Sequence, residues 1–204
     1  MLDECGLTIK LCLVMFICLS SCRPVPTTPQ PEIEVGDGGF LTGEPCGPPC
    51  FWGIVPGETT EAETVEILQE RGIYGICETW DREREGGYRG INCGRDLVIG
   101  FERGSDLVTG VGFNPSGIVV QDVVDKYGEP DGVMVSVLGV HALDYQLILA
   151  YPSMFTLVRL SLQDEAPYVL KPSTPVKNIA YDVVFDEEFS RGWEEWHGYG
   201  EYYP

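Results

Sequence analysis

Two short helix signatures about 60 residues apart, each followed by a run of strand-like segments, constrain this 204-residue chain more than any other feature. Thr59-Thr60 with Glu63 three residues on forms a capping pair. The hydroxyl accepts from the first-turn N–H groups and the carboxylate reaches back to the cap. Ala62, Val65 and Leu68 then share a face, Glu58, Glu61 and Glu63 place negative charge at the positive end of the helix dipole, and Gly72 supplies the stop. In the second signature Val120, Val123, Val124 and Tyr127 occupy i, i+3, i+4 and i+7, and Gly128-Glu129-Pro130 ends the run.

The segments between and after these helices prefer to be strands. Residues 96–102 and 106–113 flank a Gly104-Ser105 turn of the two-residue hairpin type. The expected register sets Arg103 against Asp106 and Phe101 against Val108, with Ile99 and Leu97 facing Gly110 and Gly112. Residues 133–138, 144–151, 155–162 and 179–185 alternate or run apolar within strand lengths. Many strands and only two helices predict an α+β fold, with two short helices packed on antiparallel sheet. The repeat spacing exceeds that of a solenoid unit, so tandem helix-plus-strands units are expected, with one shared sheet as an option.

The first 22 residues read as an address. Residues 11–19, LCLVMFICL, are nine uninterrupted apolar residues after the single Lys10. A membrane-spanning helix needs about 20, so this run has the length of a signal-peptide core. Leu19-Ser20-Ser21-Cys22 follows it and resembles a bacterial lipobox. That resemblance implies cleavage before Cys22, a diacylglyceryl and palmitate lipid on its thiol, and a membrane hold of about 0.8 kcal/mol per buried methylene. Acidic Asp3 and Glu4 depart from the usual basic start of such leaders. The expected organisation is a signal peptide over 1–21, lipidated Cys22 with a Pro-rich tether to 45, one α+β unit over 46–115, a second over 116–190, and an acidic aromatic tail over 191–204.

Export changes how the cysteines are read. With Cys5, Cys12 and Cys18 in the leader and Cys22 acylated, Cys46, Cys50, Cys77 and Cys93 remain, and an oxidising compartment favours two disulfides among them. Cys77 and Cys93 flank a hairpin-like stretch with Glu85-Gly86-Gly87 near its middle. Cys46 and Cys50 enclose Gly47-Pro48-Pro49 and need a tight turn to meet. The expected pairing is therefore 46–50 with 77–93. A four-thiolate zinc site is the competitor, but only one of the two pairs is close in sequence.

Two further resemblances bear on function. Gly57-Glu58-Thr59-Thr60 opening one helix, and Val123-Val124 with Tyr127-Gly128-Glu129-Pro130 closing another, are similar to the helix-plus-sheet repeats of β-lactamase-inhibitor-protein-like domains and of small lipoproteins of the outer-membrane barrel-assembly machinery. The stretch from Pro49-Cys50-Phe51-Trp52-Gly53-Ile54 to Pro56-Gly57 is similar to openings of bacterial lipoproteins of unknown function. Both imply protein contact or scaffolding and carry over no catalytic residue.

Thirteen Lys plus Arg against 32 Asp plus Glu give a formal charge of −19, which excludes a phosphate-neutralising, nucleic-acid-binding role. Only His141 and His197 are present, and no nucleophile elbow, phosphate loop, dinucleotide fingerprint or metalloprotease motif occurs. Glu194 and His197 form an E-x-x-H without a partner set. Asp81, Glu83 and Glu85 alternate at the hairpin tip but lack the calcium-loop pattern. No cofactor and no metal are expected.

The tail carries Trp193, Trp196, Tyr199 and Tyr202 among acidic residues, with Phe185 and Phe189 just before it. These aromatics either fold back to seal the open face of the sheet or contact a partner protein or a sugar. The leading expectation is a non-catalytic, membrane-tethered extracytoplasmic lipoprotein of the bacterial cell envelope, acting through protein–protein contacts with a partner yet to be named. A carboxylate-based glycan hydrolase is one rival, requiring paired carboxylates with one raised pKa. A ligand-binding lipoprotein is the other, requiring a deep apolar pocket lined by Trp and Tyr.

Overall fold

The computed structural model describes residues 33–82, 88–102, 104–138, 144–182 and 192–204. The leader, Cys22, the hairpin tip with Glu83 and Glu85, Arg103, His141, and Phe185 with Phe189 lie outside the described residues. The chain runs α1 (Glu61–Glu70), β1 (Cys77–Arg82), β2 (Tyr88–Cys93), β3 (Leu97–Glu102), β4 (Val108–Phe113), α2 (Val120–Tyr127), β5 (Gly132–Leu138), β6 (Asp144–Tyr151), β7 (Thr156–Leu160), β8 (Tyr168–Leu170), β9 (Val176–Asp182) and β10 (Gly200–Tyr202).

Eight strands form one antiparallel sheet in the order β1-β2-β3-β4-β9-β7-β6-β5, while β8 and β10 pair separately. The fold is α+β, and its two helix-plus-four-strand runs share that sheet. Each run is a meander, β8 being an excursion between β7 and β9. The two last strands, β4 and β9, meet antiparallel from Gly110↔Asp182 to Phe113↔Ile179. The order of elements therefore reads the same outward from the seam in both directions.

Both helices form where their caps place them. Thr60 accepts from Glu63 N–H at 3.3 Å while its own N–H donates to the Glu63 carboxylate at 2.8 Å, completing the capping box. These bonds from the Thr60 N–H and hydroxyl hold the Glu63 carboxyl below the usual range. The buried face of α1 is Thr64 and Leu68, with Val65 and Ile67 packed beside it. Ala62, expected on that face, is exposed, because Thr64 can turn inward by donating its hydroxyl to Thr60 O at 2.8 Å. On α2 the expected face holds: Val120 and Val123 are buried, Val124 and Tyr127 pack against the core, and Gly128 ends the helix at φ +84°.

One register differs from expectation. Phe101 faces Val108 as anticipated, but Ile99 faces Val111 and Leu97 faces Phe113, because a bulge between Gly100 and Phe101 admits Thr109 as an extra residue on β4. A bulge shifts the pairing by one and so turns over every later side chain on the bulged strand. Val108, Val111 and Phe113 all reach the core as a result.

Two boundaries are also corrected. Residues 33–45 are not tether: Val35 and Phe40 are buried in the core, and the Phe40 ring packs tilted against Tyr127 with ring centroids 5.0 Å apart. Ser116 N–H donates to Gly36 O at 3.2 Å and the Tyr127 hydroxyl donates to Phe40 O. Glycines between Val35 and Phe40 let a turning loop bury apolar residues without the periodicity that would reveal it. The tail is not separate either: β10 pairs with β8, Glu194 pairs with Val133 through both backbone bonds, and Tyr202 is 1% exposed.

The core lies between the helices with the N-terminal loop and the inner sheet face. Phe113 sits at its centre, 4.6 Å from the Phe51 ring and 5.7 Å edge-on from Tyr181. Such aromatic pairs contribute about 0.5–1.5 kcal/mol each beyond their burial.

Candidate functional site

Strand alternation divides the sheet into an inner face and an outer face. Leu97, Ile99 and Phe101 point inward on β3, leaving Val98, Gly100 and Glu102 outward. On β9 Ile179 and Tyr181 are buried while Asn178, Ala180 and Asp182 are only half-buried. A second, smaller apolar cluster covers the outer face over β5 to β9, where Trp193 packs with Met134, Ile148, Ala150, Leu157 and Ala180.

Beside that cluster the outer face forms a trough. One cross-strand row runs Trp80, Gly90, Gly100, Gly110 and Asp182, so three neighbouring strands in succession present no side chain. The adjacent row runs Asn92, Val98, Gly112, Ala180 and Leu157. The resulting groove encloses about 470 Å³, with Trp80, Tyr88 and Val98 on one bank and Arg159, Asn178 and Asp182 on the other.

The glycines of this floor are not equivalent. At Gly90 a Cβ would lie 2.6 Å from the Trp80 ring and 2.5 Å from Ile99 O, so that glycine is needed for Trp80 to lie where it does. Gly110 lets β9 approach, its Cβ position lying 3.1 Å from Tyr181 O. At Gly100 and Gly112 the nearest described atoms would be 3.5 and 3.8 Å away, ordinary contact distances. Gly100 adjoins the bulge between β3 and β4, which glycine commonly marks, whereas at Gly112 nothing in the described packing calls for glycine. Glycine weakens a strand interior and commonly marks a place where a ligand or another backbone comes close.

The banks are held in place from below. Trp80 donates its Nε1–H to Asn92 Oδ1 at 2.8 Å. Arg159 donates to Asn178 Oδ1 at 2.8 Å, and the Asn178 amide donates to Phe113 O at 3.0 Å and Asn114 Oδ1 at 3.2 Å. Burial lowers the Arg159 pKa and neighbouring Asp182 acts the other way; a guanidinium remains charged under both influences. Tyr88 and Val98 are 48% and 43% exposed, large apolar surface at the open side of the groove.

The structure scatters the residues that sequence reasoning singled out. Cys46–Cys50 and Cys77–Cys93 lie at disulfide distance, with Cα separations of 5.6 and 4.0 Å, as the expected pairing required. The tight turn at the first pair is present, Cys50 N–H donating to Gly47 O at 3.0 Å. Each pair stands apart, so the four sulphurs do not converge on a zinc site. Trp193 seals part of the outer face over Gly132, whose Cβ would meet its ring at 2.7 Å. Trp196 packs on the main core, and Tyr202 is interior, donating to Gly198 O at 2.8 Å, which removes it from the candidates for partner contact. Tyr199 remains 37% exposed and donates to Gln121 Oε1 at 3.1 Å. His197 stacks on Tyr202 with centroids 4.1 Å apart.

Trp80, Tyr88, Arg159, Asn178 and Asp182 were missed. Their signal in the sequence is the glycine spacing at 90, 100 and 110, which becomes a single row only once the hairpins are in register. No family model, curated protein or solved structure matches this chain.

Proposed function

We propose that this chain is a non-catalytic, lipid-tethered protein on the extracytoplasmic side of a bacterial membrane, and that it works by contact through the outer face of its sheet. The observation that carries the contact surface is the trough: a floor without side chains between an aromatic bank and a polar one. The lipobox-like Leu19-Ser20-Ser21-Cys22 supports the tether, and the two cysteine pairs support an oxidising compartment. The sequence resemblances imply protein contact or scaffolding for the chain as a whole and assign no occupant to the trough. Two described carboxyl groups with displaced pKa values, Asp37 and Glu63, are both displaced downward, so neither of these two offers the raised carboxyl of a glycan hydrolase.

The test combines address and contact. Cys22→Ala is expected to move the protein out of the membrane fraction of intact cells. A photocrosslinking residue at Val98 is expected to capture a neighbour, while one at Glu66, on the exposed side of α1, is not. Capture from Glu66 alone would reject the outer face as the contact surface, and unchanged membrane fractionation of Cys22→Ala would reject the lipid.

A further inference from the structure

We propose that the trough binds a saccharide, specifically a flat, neutral, β-linked glycan strand, a reading that rests on the outer face being the contact surface. A pyranose ring joined by equatorial bonds has two kinds of surface: an apolar C–H face and a rim of hydroxyls. The groove offers a counterpart to each. The Trp80 indole and the Tyr88 ring form the apolar bank, and aromatic rings supply large contact area at small entropy loss. Trp80 is fixed before any ligand arrives, by Asn92 at its Nε1 and by the missing side chain of Gly90 beneath it. Preorganisation of this kind lowers the entropic penalty of binding.

The opposite bank carries planar polar groups suited to hydroxyls. A guanidinium has five donors in a fixed fork, and the Arg159 fork is oriented by its bond to Asn178 Oδ1 at 2.8 Å. The Asp182 carboxylate, which has a partner of its own, lies on the same bank, and a carboxylate's two oxygens accept more bonds than one partner uses. Hydroxyls both donate and accept, so a donor fork next to a carboxylate serves neighbouring hydroxyls of one ring.

Charge narrows the ligand further. Among the described residues the groove lining holds one cation, Arg159, and one carboxylate, Asp182, which balance each other within a chain of formal charge −19. Anionic ligands are repelled by the molecule as a whole and gain no compensating charge in the groove. A neutral polyol loses nothing on either account. The floor explains flatness: with Gly100, Gly110 and Gly112 below, a sugar ring can lie directly against the strand backbones. The volume of about 470 Å³ falls within the range of small-ligand clefts.

The experiment is calorimetric titration of the full chain, purified from membranes in a detergent without a sugar headgroup. Cellohexaose and chitohexaose serve as flat probes and maltohexaose as a curved one. Saturable binding of at least one flat probe is expected, at least tenfold tighter than maltohexaose. Tyr88→Ala is expected to weaken it tenfold or more. Gly112→Val places a side chain on the floor where the nearest described atom is 3.8 Å from the new Cβ, so it should abolish binding while leaving the melting temperature within a few degrees. Full affinity in Gly112→Val, or no saturable heat with either flat probe, overturns the proposal. If in the latter case the crosslinker at Val98 captures a protein, the glycan is wrong and the contact surface stands. If it captures nothing, both fall.

Discussion

Asp37 holds the N-terminal loop closed, accepting from the N–H groups of Gly39 at 3.0 Å, Leu41 at 3.1 Å and Thr42 at 2.8 Å. Burial pushes its pKa up, but the bonds from Thr42, Gly39 and Leu41 together outweigh it and leave the carboxyl below its ordinary value of 3.8. A depressed folded-state pKa means the unfolded chain binds more protons on the acid side, so this contribution is full above the ordinary value and fades as pH falls below it. Asp37→Asn is expected to lose about 1 kcal/mol at neutral pH, the net scale of a hydrogen bond, because the site is partly exposed and solvent screens the charge, and the gap from wild type should close in acid. Thermal melts across the acid range check this, and a gap independent of pH would contradict it. Tyr127 makes the opposite case. Burial, with nearby Asp37 adding to it, pushes its pKa from 10.0 up to about 12, so the folded state keeps the phenol proton longer than the unfolded one. Its contribution is whole below pH 10 and is lost as pH rises toward 12. Tyr127→Phe forfeits the hydrogen bond to Phe40 O, and its deficit should shrink over that interval as wild type weakens. A deficit that grows instead would show that the phenol does not set the alkaline limit.

At the scale of elements, what was legible depended on how local each signal is. Caps, helix periodicity and turn residues act within a few positions, which is why α2 was found to its ends and the Gly104-Ser105 hairpin was found at all. The bulge at Thr109 answers to Val108, Val111 and Phe113 needing the same face against a core made elsewhere, and no local rule announces it. β8 and β10 are three residues each and form only with one another, so neither could be read from its own alternation. The Cys77–Cys93 link was legible because it spans one hairpin, and the register places the two residues directly opposite at the end of β1 and β2. Closing a loop of sequence separation 16 stabilises by about 3 kcal/mol on the chain-entropy account. Replacing both cysteines with serine should lower the denaturant midpoint accordingly and, because the unfolded chain is freed of its loop, steepen the denaturant dependence. Loss of the folded signal before denaturant is added would instead show that this hairpin is required for the sheet to form.

For the molecule as a whole, the tandem pattern was visible in the sequence but its closure was not. Two helix-plus-strands runs could equally have made two small domains; the β4–β9 seam decides against that, with Val111↔Tyr181 and Phe113↔Ile179 pairing one run with the other. Phe113 also packs against Phe51 and, edge-on, against Tyr181, so a single aromatic ties the N-terminal loop, the first run and the second together. The trough belongs to this scale too: Trp80, Tyr88 and Val98 come from the first run and Arg159, Asn178 and Asp182 from the second, and no stretch of sequence brings them together. A sheet and core shared in this way should melt as one unit. Splitting the chain between residues 115 and 116 would leave β4 and β9 as open edges and expose Phe113 and Tyr181, each about 1% exposed or less in the whole protein. Neither half alone is expected to give a cooperative transition, whereas mixing them should restore one, with a midpoint that rises with concentration. If calorimetry resolves two independent transitions in the intact chain, or if either half folds alone with native dispersion of its amide resonances, the runs are separate domains and the seam is only a contact between them.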